Sequence, residues 1–132
     1  MGLDMYGYTM KAEFVGDRQT DVNVSEDERE EAALKHFAYW RKFNHLHGWM
    51  ENLYRQKGGK AEVFNCCTVR LELEDLDRLE SDLNEEKLEY TPGFFFGDDE
   101  IYPEDITETK NFIANARLAI VTGQAVFYDS WW

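Results

Sequence analysis

The sequence predicts an α+β fold: a small, mainly antiparallel sheet with about three helices packed on it. Three observations carry this reading. Segments in which apolar and polar residues alternate stand at both ends of the chain and in its middle. Longer stretches between them repeat their apolar residues every three or four positions. The length of 132 residues, with 43% apolar content, allows one domain spanning 1–132 and one core.

Taken in order, residues 3–14 partly alternate through Leu3, Met5, Tyr8 and Met10 and read as a strand. The polar stretch 16–25 suits a loop. Ser25 followed by Glu28 is a capping-box signature, and the acidic start Glu26, Asp27, Glu28 complements the positive end of a helix dipole. From about 31 to 54 the helical signal is strongest, with Tyr39, Phe43, Leu46, Met50 and Leu53 in one stripe that Gly58-Gly59 stops. Residues 62–73 read as extended, with Cys67, Val69, Leu71 and Leu73 on one face. A helix over about 74–89 turns Leu76, Leu79 and Leu83 inward. Thr91-Pro92-Gly93 then leads into Phe94-Phe95-Phe96-Gly97, a buried strand or an aromatic loop. Pro103 suits a first helical position, Ile106, Ile113, Ala116 and Ile120 face inward, and Gly123 ends the helix. The closing segment 124–132 is a strand in which Val126 and Tyr128 lie opposite Phe127 and Asp129.

Charge excludes several functions. With 27 acidic against 14 basic residues the net charge is −13, whereas nucleic acid and anionic membrane both demand a basic surface. No run approaches the ~18 apolar residues of a membrane span, and no basic and apolar secretion signal opens the chain, so a cytoplasmic location is expected. Four Trp and the Phe-rich turn can exceed what one small core buries, which leaves a homo-oligomer open. Cys66 and Cys67 point to opposite faces of a strand and belong to no zinc pattern, which reads as one core thiol and one surface thiol.

No metal or cofactor is expected. His45 and His47, two apart on a helix, diverge by ~200°, and His36 and His47 stand ~16 Å apart along the axis. Asp98-Asp99-Glu100 lacks the spacing of a calcium loop. Neither a Gly-rich phosphate loop nor a nucleophile elbow is present, which argues against an enzyme.

Two candidate sites remain. In the first, helical spacing puts Trp40, Asn44 and His47 on one face with Arg41 and Lys42 beside it, a set suited to a phosphate or carboxylate ligand. Cys67 paired with His47 would supply a nucleophile and its base. The competing reading has Asn44 and His47 hydrogen-bonding to the neighbouring sheet, with Arg41 and Lys42 paired to local acids.

The second candidate is acidic. Residues 74–89 carry eight acids against two bases, a net −6 over ~24 Å of helix, within a factor of about three of the linear charge density of B-DNA. Asp75, Asp82, Glu86 and Glu89 share an arc beside the leucine face. Glu85, Glu86 and Glu89 crowd a helix C-terminus, where each exposed negative charge opposes the dipole by ~0.3–1 kcal/mol. Asp98, Asp99 and Glu100 add a second cluster. The plain reading of these carboxylates is a solvated face that aids solubility; their placement against the dipole offers a second, a recognition surface for a basic protein partner.

Four motifs carry a resemblance that keeps its order over nearly the whole chain. They are Met1-Gly2-Leu3-Asp4-Met5-Tyr6, the run from Tyr39-Trp40-Arg41-Lys42 through Asn44 and His47 to Trp49, Gly93-Phe94-Phe95-Phe96-Gly97, and Phe127-Tyr128-Asp129-Ser130-Trp131-Trp132. Together they resemble a family of small uncharacterised bacteriophage proteins. The resemblance implies a phage accessory protein working in the infected bacterial cell by occupying a host protein, either a nucleic-acid-binding enzyme or a defence component. Its acidic surface would stand in for DNA.

Overall fold

The structure is a computed structural model that describes residues 2–93 and 96–132. Its elements run β1 (Asp4–Lys11), α1 (Ala12–Val15), α2 (Arg29–Ala32), β2 (Lys35–Arg41), α3 (Asn44–Gln56), β3 (Val69–Leu71), α4 (Leu73–Asn84), α5 (Pro103–Val121) and β4 (Gln124–Trp131). The four strands form one sheet in the order β2-β1-β4-β3, every neighbouring pair antiparallel. The α+β class is the predicted one. Helices number five among the described residues, more than the expected three, because α1 and α2 add single turns of four residues each.

One face of the sheet carries Leu3, Met5, Ala38, Trp40, Val69, Leu71, Val126 and Tyr128 into the main core. Leu46, Met50 and Leu53 of α3, Leu76, Leu79 and Leu83 of α4, and Phe112, Ile113 and Ala116 of α5 cover it. Each buried Leu, Ile, Val, Met or Phe among them contributes about 1.5–3 kcal/mol by leaving water. A Cβ at Gly7 would stand 2.7 Å from the Phe112 ring, so glycine is what lets that ring of α5 lie against β1. The opposite face has a smaller core, in which Tyr8, Met10, Ala125 and Phe127 are roofed by Val15, Val22 and Ala32 from the segment between β1 and β2.

Several expected boundaries are corrected. The stretch 31–54 is not one helix: β2 occupies its first half, Lys42 turns through a left-handed φ of 57°, and α3 begins only at Asn44. Ala38 and Trp40 face the core while Tyr39, at the head of the predicted stripe, is 48% exposed. The ladder offered by β1 outweighs the local helical period there. At Ser25 the Glu28 carboxylate does accept hydrogen bonds from the Ser25 N–H and hydroxyl, at 3.2 and 2.9 Å. That cap opens only a 3₁₀ turn (Glu26–Glu28) and α2, which ends at left-handed Ala33.

The extended stretch 62–73 shrinks to β3, since Cys66 is left-handed and Leu73 already begins α4. Helix α4 in turn stops at Asn84, five residues short of the expected end, and Glu86 adopts a left-handed φ of 56°. The expected strand or aromatic loop at Phe94 and Phe95 lies outside the described residues; Phe96 is buried. Helix α5, with Pro103 in its first turn, and strand β4 match their predictions closely.

Candidate functional site

The N-terminal turn of α3 organises the acidic segments. Asn44 is fully buried, and its carboxamide makes three hydrogen bonds. Nδ2 donates to the Phe96 carbonyl at 3.0 Å and to the Asp98 carbonyl at 2.8 Å, and Oδ1 accepts from the Thr91 N–H at 3.0 Å. Beside it His45, also buried, donates from Nε2 to the Asp99 carbonyl at 3.1 Å. Chain on both sides of residues 94–95 is thereby tied to one helix end. The Glu89 and Asp98-Asp99 segments, separate in sequence, meet there.

The loop is shaped by its own bonds as well. The Asp98 carboxylate accepts from the Glu100 N–H at 3.1 Å and from the Tyr102 hydroxyl at 2.9 Å. Between α3, α4 and residues 87–91 lies a polar cleft of about 310 Å³, lined by His45, Trp49, Asn52, Arg78, Asp82 and Lys87 among others.

Acids on α4 follow a different pattern from the expected free array. Asp75 is buried, its oxygens held by Lys57 Nζ at 2.7 Å, Arg78 at 3.1 Å and the Glu72 N–H at 2.9 Å. Burial alone would raise its pKa, yet the hydrogen bonds from Lys57 and the Glu72 N–H bring it below the ordinary aspartate value. Arg117 of α5 bridges Asp77 at 2.7 Å and Glu80 at 2.9 Å. Asp82 accepts from Trp49 Nε1 at 2.8 Å. Glu85, just past the helix, accepts from the Ser81 hydroxyl at 2.6 Å and pairs with Lys87 at 3.5 Å, and the Ser81 bond lowers its pKa. Glu86, Glu89, Asp99 and Glu100 are exposed and have no cation within 4 Å among the described residues.

The first candidate pocket is not assembled. Trp40 sits on β2 and donates through Nε1 to the Thr109 hydroxyl at 3.0 Å; it is 2% exposed. His47, 1% exposed, bonds through Nδ1 to the Tyr128 hydroxyl at 2.7 Å, so the reading in which it serves the sheet holds. Burial pushes its pKa down to about 4. The Cys67 thiol points to the carbonyls of Val63 and Asn65, and no dyad with His47 forms. Arg41 pairs with Asp4 at 2.8 Å.

Sequence reasoning missed two residues. His45 was treated only as a neighbour of His47; its role as a loop anchor depends on a contact 54 positions away. Asp129 carries a buried Oδ1 without any hydrogen-bond partner. The alternation of β4, which put it opposite Tyr128, was the available signal.

Among the described residues no group of three or more His, Cys, Asp or Glu is placed to hold a metal ion. No helix there is long and apolar enough to cross a membrane. Comparison of the chain with protein-family models, curated proteins and solved structures finds no match.

Proposed function

We propose that this is a small acidic accessory protein of bacteriophage type that binds a basic surface of a host protein and inhibits or modulates it. A nucleic-acid-binding enzyme or a defence component is the kind of target whose basic groove suits such a partner. The contact surface is the rim formed by Glu86, Glu89, Asp99 and Glu100, with Glu85 and Asp98 at its edges. Asp75 and Asp82 act inside the fold and are not part of it.

The observation behind this reading is the Asn44 and His45 latch, which ties both sides of one short loop, Thr91 and Asp98-Asp99 with the acids beside them, to one helix end although those charges repel. A surface charged in this way steers a cationic partner and tolerates salt poorly. The test is affinity capture of a host partner at low ionic strength and again at about 1 M salt, where the screening length falls to ~3 Å. The partner is expected to be lost in high salt and in the variant Glu86→Gln/Glu89→Gln/Asp99→Asn/Glu100→Gln. It should be kept when Glu26, Asp27, Glu30 and Glu31, elsewhere in the chain, are neutralised in the same way. Equal loss in both variants would reduce the rim to a matter of net charge.

A further inference from the structure

The face of the sheet turned away from α3, α4 and α5 is built of cross-strand rows. His36, Tyr8, Phe127 and Arg70 make one row, Tyr39, Tyr6 and Asp129 the next, and Arg41, Asp4 and Trp131 the last. Tyr8 and Phe127 are roofed by the smaller core. The other two rows lie beyond that cover: Tyr39 is 48% and Trp131 65% exposed.

Two carboxylates stand on this open area, in opposite conditions. Asp4 is satisfied, accepting from the Tyr39 hydroxyl at 2.6 Å and from Arg41 at 2.8 Å. Asp129 is not. Its Oδ1 is sealed from solvent with no hydrogen bond, and no cation lies within 4 Å among the described residues. Tyr6 is its neighbour across the ladder and Trp131 its neighbour along β4. Burial raises its pKa to about 6, which the field of Arg29 offsets only in part. A half-sealed, unpaired carboxylate flanked by Tyr6 in the ladder and by Trp131 along the strand combines a costly anion with residues whose rings attract cations.

We propose that Tyr6, Asp129 and Trp131 form a docking point for a lysine side chain of a partner protein, with the ammonium on Asp129 and its stem against the rings. Charge complementarity selects a cation. Sealing of Oδ1 leaves one oxygen within reach, so the two-pronged grip of a guanidinium is denied and a single ammonium donor fits better. Tyr39 and Trp131 are exposed on this face, which suits a residue carried by a protein surface rather than a free small amine. The patch extends the basic-partner reading but shares no residue with the acidic rim.

The experiment is an NMR titration of the whole chain with a blocked Gly-Lys-Gly-Lys-Gly peptide at low salt, with its arginine counterpart alongside. Saturable shifts are expected at the Trp131 indole N–H and at the Tyr6 and Asp129 amides. Affinity should fall roughly tenfold in Asp129→Asn, and again in Trp131→Ala read at the Tyr6 and Asp129 amides. Trp131 is exposed enough that its removal leaves the fold in place. Glu86→Gln/Glu89→Gln should bind as the parent does. Absence of saturation at these amides, unchanged affinity in Asp129→Asn, or about tenfold tighter binding of the arginine peptide would each overturn the assignment. Shifts confined to 85–100 would sink this patch and leave the rim reading standing; shifts confined to the patch would do the reverse.

Discussion

His47 Nδ1 and the Tyr128 hydroxyl lie 2.7 Å apart inside a shell of Phe64, Phe96 and Trp132 rings. The pair joins the middle of α3 to the centre of β4, and burial keeps the imidazole neutral, with its pKa down at about 4. In the unfolded chain a histidine takes up its proton near pH 6.5, so stability is lost as pH falls from there toward 4. The loss from His47 is about 3 kcal/mol at the lower end. An NMR pH titration should leave the His47 ring signals unmoved down to pH 5. A midpoint near 6.5 would contradict the buried bond.

Asp129 works in the opposite sense. Its folded pKa, raised to about 6 chiefly by burial, exceeds the unfolded value, so its contribution favours the fold at low pH and is lost as pH rises through 4 to 6. Asp129→Asn should therefore stabilise the protein at pH 7, on the order of 2 kcal/mol. It should also steepen the acid side of the stability profile, because the His47 loss is no longer offset. Urea unfolding at pH 4.5, 5.5 and 7 reads both effects.

Asn44→Ala leaves the Thr91 N–H and the carbonyls of Phe96 and Asp98 without their partner. A cost of about 2–4 kcal/mol follows from three lost bonds at a buried site. Amide exchange is the sharper test: Thr91 should lose its protection while the β1 and β4 ladder amides keep theirs. Uniform loss across the sheet would mean that the latch is part of the core and not a local tie.

Lys57 holds Asp75 at 2.7 Å and also donates to Gln19 Oε1 at 2.9 Å and to the Arg70 carbonyl. Lys57→Met leaves a buried carboxylate with Arg78 as its one remaining side-chain cation, and should cost about 3–5 kcal/mol by chemical denaturation. Adding Asp75→Asn should recover a good part of that loss. Strict additivity of the two changes would rule out the coupling.

Much of the architecture was legible from local pattern. Helix α5 carries its Pro start, its Gly stop and its inward Ile113 and Ala116, and β4 carries an apolar run from Ala125 to Tyr128 that is buried on both faces of the sheet. At Tyr39 and Phe43 two periods coincide, since Ala38 and Trp40 alternate with Tyr39 and Arg41 while the wider spacing also fits a helix. What decides is a ladder with β1, some thirty positions away, and no local rule contains it. The acids show the same limit. That Asp75 meets Lys57, and Asp77 and Glu80 meet Arg117, depends on helix packing, whereas the bond of His47 to the sheet was within reach because a buried polar group must find a partner. The expectation that Asn44 also serves the sheet fails, since it holds the loop at Thr91, Phe96 and Asp98.

The longest ladder in the molecule joins Asp4 to Trp131 and Lys11 to Gln124. During synthesis β1 can pair with β2 as soon as residues 35–41 are made, but its other edge stays open until residues 124–131 follow, so the centre of the sheet closes last. Such distant closure slows folding. It also sets Asp4 beside Trp131, so a short linker between those two positions, with the backbone opened in an exposed loop elsewhere, would give the same sheet a new order of synthesis.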